Sequence, residues 1–310
     1  MRSVLPAIFV ALALAAPACA QQVADSTFDT RVAHPAFTTR HPVVRIDEAH
    51  HNFHTADGRY KVFADLARHD GCRVEPHAKP FTAASLAGCD VLVISNALGH
   101  EDMGDPAAER PAFSPEECDA VRDWVRGGGA LLLIADHAPM GAAARDLGAR
   151  FGVDMRNAYC IDPGPGNASG QPGLILFTAG YGLDTAHPIV AGRDSTERVA
   201  KVMTFTGQSL EGPPGAASLL TLSKTATDLM VGFGQHREDV PDSLKRSAEG
   251  RTHGLAFEFG RGRVVVLGEA AMLSAQLAGP GGRFKMGMNR PGIDNRQFAL
   301  NTVRWLARAL

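Results

Sequence analysis

Residues 114–135 hold the feature that most restricts the fold: a helix marked at both ends, followed at once by a strand that is apolar throughout. Ser114, Pro115 and Glu117 make a capping-box start. Cys118, Val121, Trp124 and Val125 fall on one helical stripe, and Gly127, Gly128 and Gly129 stop the helix. The strand over 130–135 shows no polar alternation. A strand of that kind is covered on both faces, the environment of a parallel sheet clad by helices.

The same strand-helix order recurs along the chain. Residues 43–46 are a short β-branched run; Tyr60, Phe63, Ala64 and Ala67 then recur at helical spacing, and Gly71 supplies a stop. Short strands are expected over 73–75 and 90–95, and an Ala-rich helix over 141–151. Residues 254–259 and 263–267 read as a hairpin joined through Gly260, Arg261 and Gly262. The last helix is expected over 295–309, with Phe298, Thr302, Trp305 and Leu306 inward. Between these parts, strands over 174–177, 218–222 and 229–233 read as additions to the same sheet, followed by a loop-like stretch over 235–251. The expected fold class is α/β: a doubly wound, mainly parallel, flavodoxin-like sheet with added strands. Residues 21–42 read as an extended arm and 43–310 as a single domain.

The first 20 residues read as a secretory signal peptide. Arg2 precedes an apolar run over 4–15, and Ala18 and Ala20 frame a cleavage site after Ala20. The run is shorter than the roughly 20 residues a membrane-spanning helix needs. Cys19 as the acylated first residue of a lipoprotein is the alternative. The chain is therefore expected to be periplasmic or secreted, with no integral membrane segment. A net charge of −2 with no basic block argues against nucleic acid and anionic membrane surfaces as partners. Cys72, Cys89, Cys118 and Cys160 form no metal-finger pattern, and the first three fall at strand starts or on an apolar helix face, where buried thiols are common.

Polar residues without a packing role gather at four strand ends. Asp47, Glu48, His50, His51, Asn52 and His54 follow the first strand, Asn96 the third, Asp136 and His137 the strand over 130–135, and Glu269 the strand over 263–267. In a parallel sheet these ends share one edge, where open α/β folds bind ligands. As catalytic groups, Glu48 or Asp136 would activate water, His137 would carry a proton, and Glu269 would be the second carboxylate. The plainer alternatives make Asp136 a helix cap and Glu269 the partner of Arg263 or Arg290. Asn52, Asn96, Asn289, Arg290, Asp294 and Asn295 are candidate substrate-binding residues; for Asp294 and Asn295, capping the last helix is the stronger reading. Asp47, His50, His51 and His54 are candidate ligands for a divalent metal such as Zn²⁺, because His50 and His54 are spaced like ligands on one helical turn. The spacing matches no established metal motif, and hydrogen bonds within the loop are the simpler reading. His69, His77, His100, His236 and His253 have no such company and read as surface residues. The run 204–209 is a weak candidate for lining a pocket.

With these segments in view, the chain resembles the class I glutamine amidotransferase-like superfamily, in particular secreted proteins near the GIFT domains of gliding-motility ABC transporter components and intraflagellar-transport proteins. The resemblance is carried by residues 46–55, 127–139, 262–272 and 287–306. Amidotransferases place a cysteine in a Gly-x-Cys-x-Gly elbow; here the elbow reads Ala135, Asp136, His137, Ala138, Pro139. The resemblance thus implies the fold without the thiol-dependent glutaminase. Trehalose-utilisation-like relatives carry a histidine after this strand, as His137 does, which implies a sugar-like ligand. The expectation is an exported hydrolase with a histidine and carboxylate cleft for a small polar or carbohydrate-like molecule. The alternative is a non-catalytic module that binds a carbohydrate or a protein partner.

Overall fold

The structure is a computed structural model, and residues 22–310 are described. The proposed leader and its cleavage site lie outside the described residues, except that the arm is seen from Gln22 onward. Seven strands form the central sheet: β1 (Val43–Asp47), β2 (Arg73–His77), β3 (Val91–Ser95), β4 (Ala130–Ile134), β5 (Ala217–Ser218), β6 (Gly254–Phe259) and β7 (Gly262–Leu267). Their order is β5-β6-β7-β4-β3-β1-β2. The five strands β2, β1, β3, β4 and β7 are mutually parallel; β6 pairs antiparallel with β7, and β5 pairs antiparallel with β6. This is the flavodoxin-like order 2-1-3-4-5, whose ligand crevice opens between the first and third strands.

Helices α1 (Lys61–His69), α2 (Pro115–Arg126), α3 (Met140–Ala149), α4 (Pro188–Ala191) and α5 (Asn295–Leu306) surround the sheet. Alternate strand residues feed two separate cores. Val44, Ile46, Val93, Leu132 and Val265 pack with Phe63 and Leu66 of α1 and Phe298 and Val303 of α5. Leu92, Ile94, Leu131, Leu133 and Val264 pack with Cys118 and Val121 of α2 and Leu147 of α3. The unbroken apolar run of β4 is buried at every position because both layers claim it. Helix α2 carries the full capping box, with Ser114 and Glu117 each accepting from the other's backbone N–H.

Two parts differ from the sequence expectation. The middle of the chain does not extend the main sheet, apart from β5. Leu174–Thr178 pairs with Lys201–Phe205 alone, and Thr227–Leu229 lies between Tyr159–Ile161 and Lys245–Ser247. The strand expected over 229–233 stops at Leu229, and Phe233 stands out on the surface. The arm is tied down: Val23–Ala24 pairs with Leu277 and Gln276, and Phe37 is buried with its N–H donating to the Asp70 carbonyl. Cys72, Cys89, Cys118 and Cys160 are free and buried. No helix among the described residues is long and apolar enough to cross a membrane.

Candidate functional site

A cavity of about 490 Å³ opens at the carboxyl edge of the parallel strands. Asn96, Asp136 and Glu269 enter it from the ends of β3, β4 and β7, and His54 and Arg59 from the loop after β1. Its apolar wall is Phe53, Met103, Met140, Phe205, Phe233 and Met286. Helix α1 runs to one face of the sheet and the connection after β3 leads to the other, so the two loops part and leave the opening.

The three polar groups at the strand ends are held by backbone N–H donors. Asn96 adopts a left-handed conformation, φ 50°, and its Oδ1 accepts from the Asp136 N–H at 3.0 Å. Asp136 Oδ1 accepts from the His137 N–H at 2.7 Å and Oδ2 from the Ala270 N–H at 3.2 Å. Glu269 Oε1 accepts from the Ala271 N–H at 2.6 Å and Oε2 from the Met272 N–H at 2.8 Å. Glu269 forms the floor and is fully buried, whereas Asp136 retains 7% exposure. Burial and the nearby Asp136 charge push the Glu269 carboxyl well above its ordinary 4.5, against the opposing pull of its backbone N–H donors. Gly207 at φ 108° lets the chain pass against this floor; a Cβ there would lie 2.6 Å from the Gly268 carbonyl and 2.9 Å from Glu269 Cβ. Thr206 beside it is β-branched at φ 76°, a strained conformation of the kind that clusters at functional sites.

The histidines separate. His54 is buried against Tyr60, its Nδ1 lies 3.2 Å from Ser95 Oγ, and its Nε2 has no partner. Burial pushes its pKa down to about 3, so the ring is neutral. His50 does not line the cavity. Its Nδ1 lies 2.9 Å from Asp47 and its Nε2 2.9 Å from Glu117 Oε1, with Phe81 and Phe113 packed on the ring. His51 is exposed at φ 48°. The expected metal set of Asp47, His50, His51 and His54 is therefore not assembled: the segment is a loop, and helical spacing gives no common face there. Among the described residues no three His, Cys, Asp or Glu side chains are gathered to hold an ion.

Burial alone would lower the His50 pKa, but Asp47 and Glu117 outweigh it and hold the imidazolium above its ordinary 6.5. Stabilisation from this charge is fully present below about 6.5, the unfolded value. It is lost as pH rises through the higher folded value. Between pH 6 and 9 the wild type should lose more stability than His50→Gln, read as the shift in urea midpoint. Equal losses would mean that His50 is uncharged in the fold.

Several other expected site residues serve the scaffold. Glu48 Oε1 accepts from the Ala56 N–H, and Asn52 Nδ2 donates to Asp47. Asn289 Nδ2 donates to Asp25 and to the Gln276 carbonyl, tying down the arm. Arg290 lies over the Phe284 ring. Asp294 Oδ2 accepts from the N–H groups of Ala200 and Lys201, and Asn295 bridges Met203 and Met272. None of these lines the cavity, because their loop turns back into the neighbouring strands. Asp136 is not a cap, since α3 begins only at Met140, and Glu269 meets backbone N–H groups rather than Arg263 or Arg290. His137 lines the cavity and stacks on Tyr159 at 4.3 Å between centroids. Two histidines expected at the surface are buried: His77 against Phe81, and His253 beside Thr204 Oγ1. Arg59, Gln276 and the methionines of the wall carry no motif that marks them. The weak 204–209 run supplies Phe205, and Gln208 donates to the carbonyls of Ala135 and Asp136.

Among solved structures, the chain is similar to the mmIFT52 N-terminal domain at 12% identity and a TM-score of 0.56, covering 85% of this chain and 96% of that one. At this identity the likeness bears on the fold alone, the flavodoxin-like arrangement described above. A ThuA-like protein from Bacteroides uniformis aligns at 13% identity and a TM-score of 0.45, over 89% of this chain and 93% of that one. No family model matches the sequence, and no curated protein matches it. In this fold the elbow after β4 presents Asp136 and His137, and the four described cysteines lie outside the cavity.

Proposed function

We propose that the cavity is the active site of a hydrolase acting on a small, polar, sugar-like molecule, with Asp136 as general base. The observation that carries this reading is the carboxyl pair. Asp136 and Glu269 come from adjacent parallel strands and meet at the floor of one cavity, where the second is pushed to hold its proton. Pairs of acids whose environments separate their ionisation are how one fold runs acid and base chemistry together. Asp136 takes a proton from the attacking water and returns it to the leaving oxygen. The bond formed is from water oxygen to the electrophilic carbon, and the bond broken is from that carbon to the leaving oxygen. Glu269, without exposed surface, is a positioning residue. Phe53, Phe205 and the methionines supply the apolar wall on which a sugar ring lies.

A second reading, a binding module without turnover, is favoured by one observation: all four carboxyl oxygens of the pair accept backbone N–H bonds. The two readings separate in a hydrolysis screen with nitrophenyl glycosides and nitrophenyl esters. The hydrolase reading expects turnover by the wild type that is lost in Asp136→Asn. Turnover that survives the substitution, or binding of free sugars with no turnover across the panel, removes it.

The leader-like residues 1–20 support a further part of the reading, that the protein works in the periplasm or outside the cell. Fractionation and sequencing of the amino terminus should find an exported chain beginning at Gln21. An intact chain retained in the cytoplasm would refute export.

A further inference from the structure

We propose that the ligand of this cavity is an anion, a sugar-like molecule carrying one carboxylate, held by Arg59 with His54 beside it. The inference rests on the cavity being the ligand site, as proposed above, and not on any reaction there.

Arg59 is half-buried in the cavity wall, its guanidinium 3.8 Å above the Phe53 ring. One nitrogen donates to the Phe53 carbonyl at 3.2 Å, and its Nε is buried without a partner. The two fully buried arginines among the described residues meet acids: Arg304 meets Asp70, and Arg251 meets Asp154 and Glu211. Half-buried Arg296, which also has no acid partner among the described residues, donates to the Arg31 carbonyl outside the cavity, whereas Arg59 lines it. No carboxylate among the described residues pairs with Arg59, and burial alone lowers its pKa. A cation taken partly out of water without a counter-charge is costly to a fold. Asp136 lines the same cavity, but no ion pair joins it to Arg59; its oxygens accept from the backbone N–H groups of His137 and Ala270.

The neighbouring groups fit the same ligand. His54 is 2% exposed, and its unpartnered Nε2 belongs to a residue of the cavity wall. Gln276, 1% exposed, also lines the cavity and has an unpartnered Oε1. These unsatisfied groups lie in the cavity wall with Arg59, whose planar guanidinium fork matches a carboxylate. A monoanion is favoured over a phosphate dianion because Arg59 is a single positive charge and Asp136 lines the same cavity.

The test compares glucuronate with its neutral amide, glucuronamide, by calorimetric titration at low salt on the full folded chain. A charged hydrogen-bonded contact predicts that wild type binds the acid roughly tenfold to hundredfold more tightly than the amide. Arg59→Met should bring the two ligands to equal affinity, and Arg59→Lys should restore part of the preference. Circular dichroism checks that the variants fold; the acid-to-amide ratio of the wild type needs no variant. The proposal is overturned if the amide binds as tightly as the acid, if Arg59→Met keeps the preference, or if neither compound binds. Tighter binding of glucose 6-phosphate than of glucuronate also overturns it. Acid-selective binding without turnover would sustain this inference while removing the hydrolase; turnover of neutral glycosides alone would do the reverse.

Discussion

Arg304→Ala should lower the stability of this protein by about 3–5 kcal/mol, the usual cost of stranding a buried charge. Arg304 is 1% exposed on α5, and its Nε and one terminal nitrogen each lie 2.7 Å from an oxygen of Asp70, which is fully buried. Its other terminal nitrogen lies 2.8 Å from Glu197 Oε1. Asp70 also accepts from the Ala36 N–H at 2.9 Å, so one ion pair joins the arm, the end of α1 and α5. Removing the guanidinium leaves Asp70 charged with no water to solvate it. At about 2–4 °C for each kcal/mol, the melting temperature should fall by roughly 6–20 °C. The double variant Arg304→Met, Asp70→Asn should recover most of this loss, because no charge is then stranded. A single-variant shift below about 2 °C would show that the pair is compensated elsewhere.

Asp136→Asn should reduce any hydrolytic rate by about 10²–10⁴, the range for a positioned general base. That loss should fall on kcat, because the amide keeps the shape of the side chain and leaves the cavity wall in place. Glu269→Gln tests the other half of the pair in a different way. Both Glu269 oxygens accept backbone N–H bonds, whereas glutamine offers one acceptor and sets its amide nitrogen against a donor. A buried mismatch of this kind costs about 1–3 kcal/mol of stability. Glu269→Gln should therefore show a lower melting temperature together with a displaced pH–rate profile. A profile that does not move would remove Glu269 from the positioning of Asp136.

The lesson about legibility is clearest at Asp47, His50 and His54. Apolar runs ending in polar residues made β1, β3, β4 and β7 visible, and parallel pairing then fixed that Asn96, Asp136 and Glu269 share an edge. That much follows from periodicity. The partners of the histidines do not, because His50 is claimed by Glu117, which is 67 residues away and belongs to the capping box of α2. Local spacing carries no information about such a contact. Arg59 was equally silent: what sets it apart is that it lines the cavity without an acid partner, a property of the fold rather than of its neighbours in sequence. In the middle of the chain, short apolar runs looked like additions to the large sheet, yet the strand Lys201–Phe205 ends before left-handed Thr206 and Gly207 and pairs only with Leu174–Thr178. A β-branched residue in that conformation cannot be anticipated from propensity, since only the surrounding packing holds it there.

The four thiols of the described residues are sequestered, which decides how they meet oxidants. Burial pushes Cys72 and Cys89 up to about 12 and Cys118 to about 11, and drives Cys160 well above its ordinary 9.0. Thiolate is the species that attacks disulfides and peroxides, so these four cysteines offer such reagents almost no nucleophilic sulfur. Glutathione, whether reduced or oxidised, would therefore leave these four side chains unchanged.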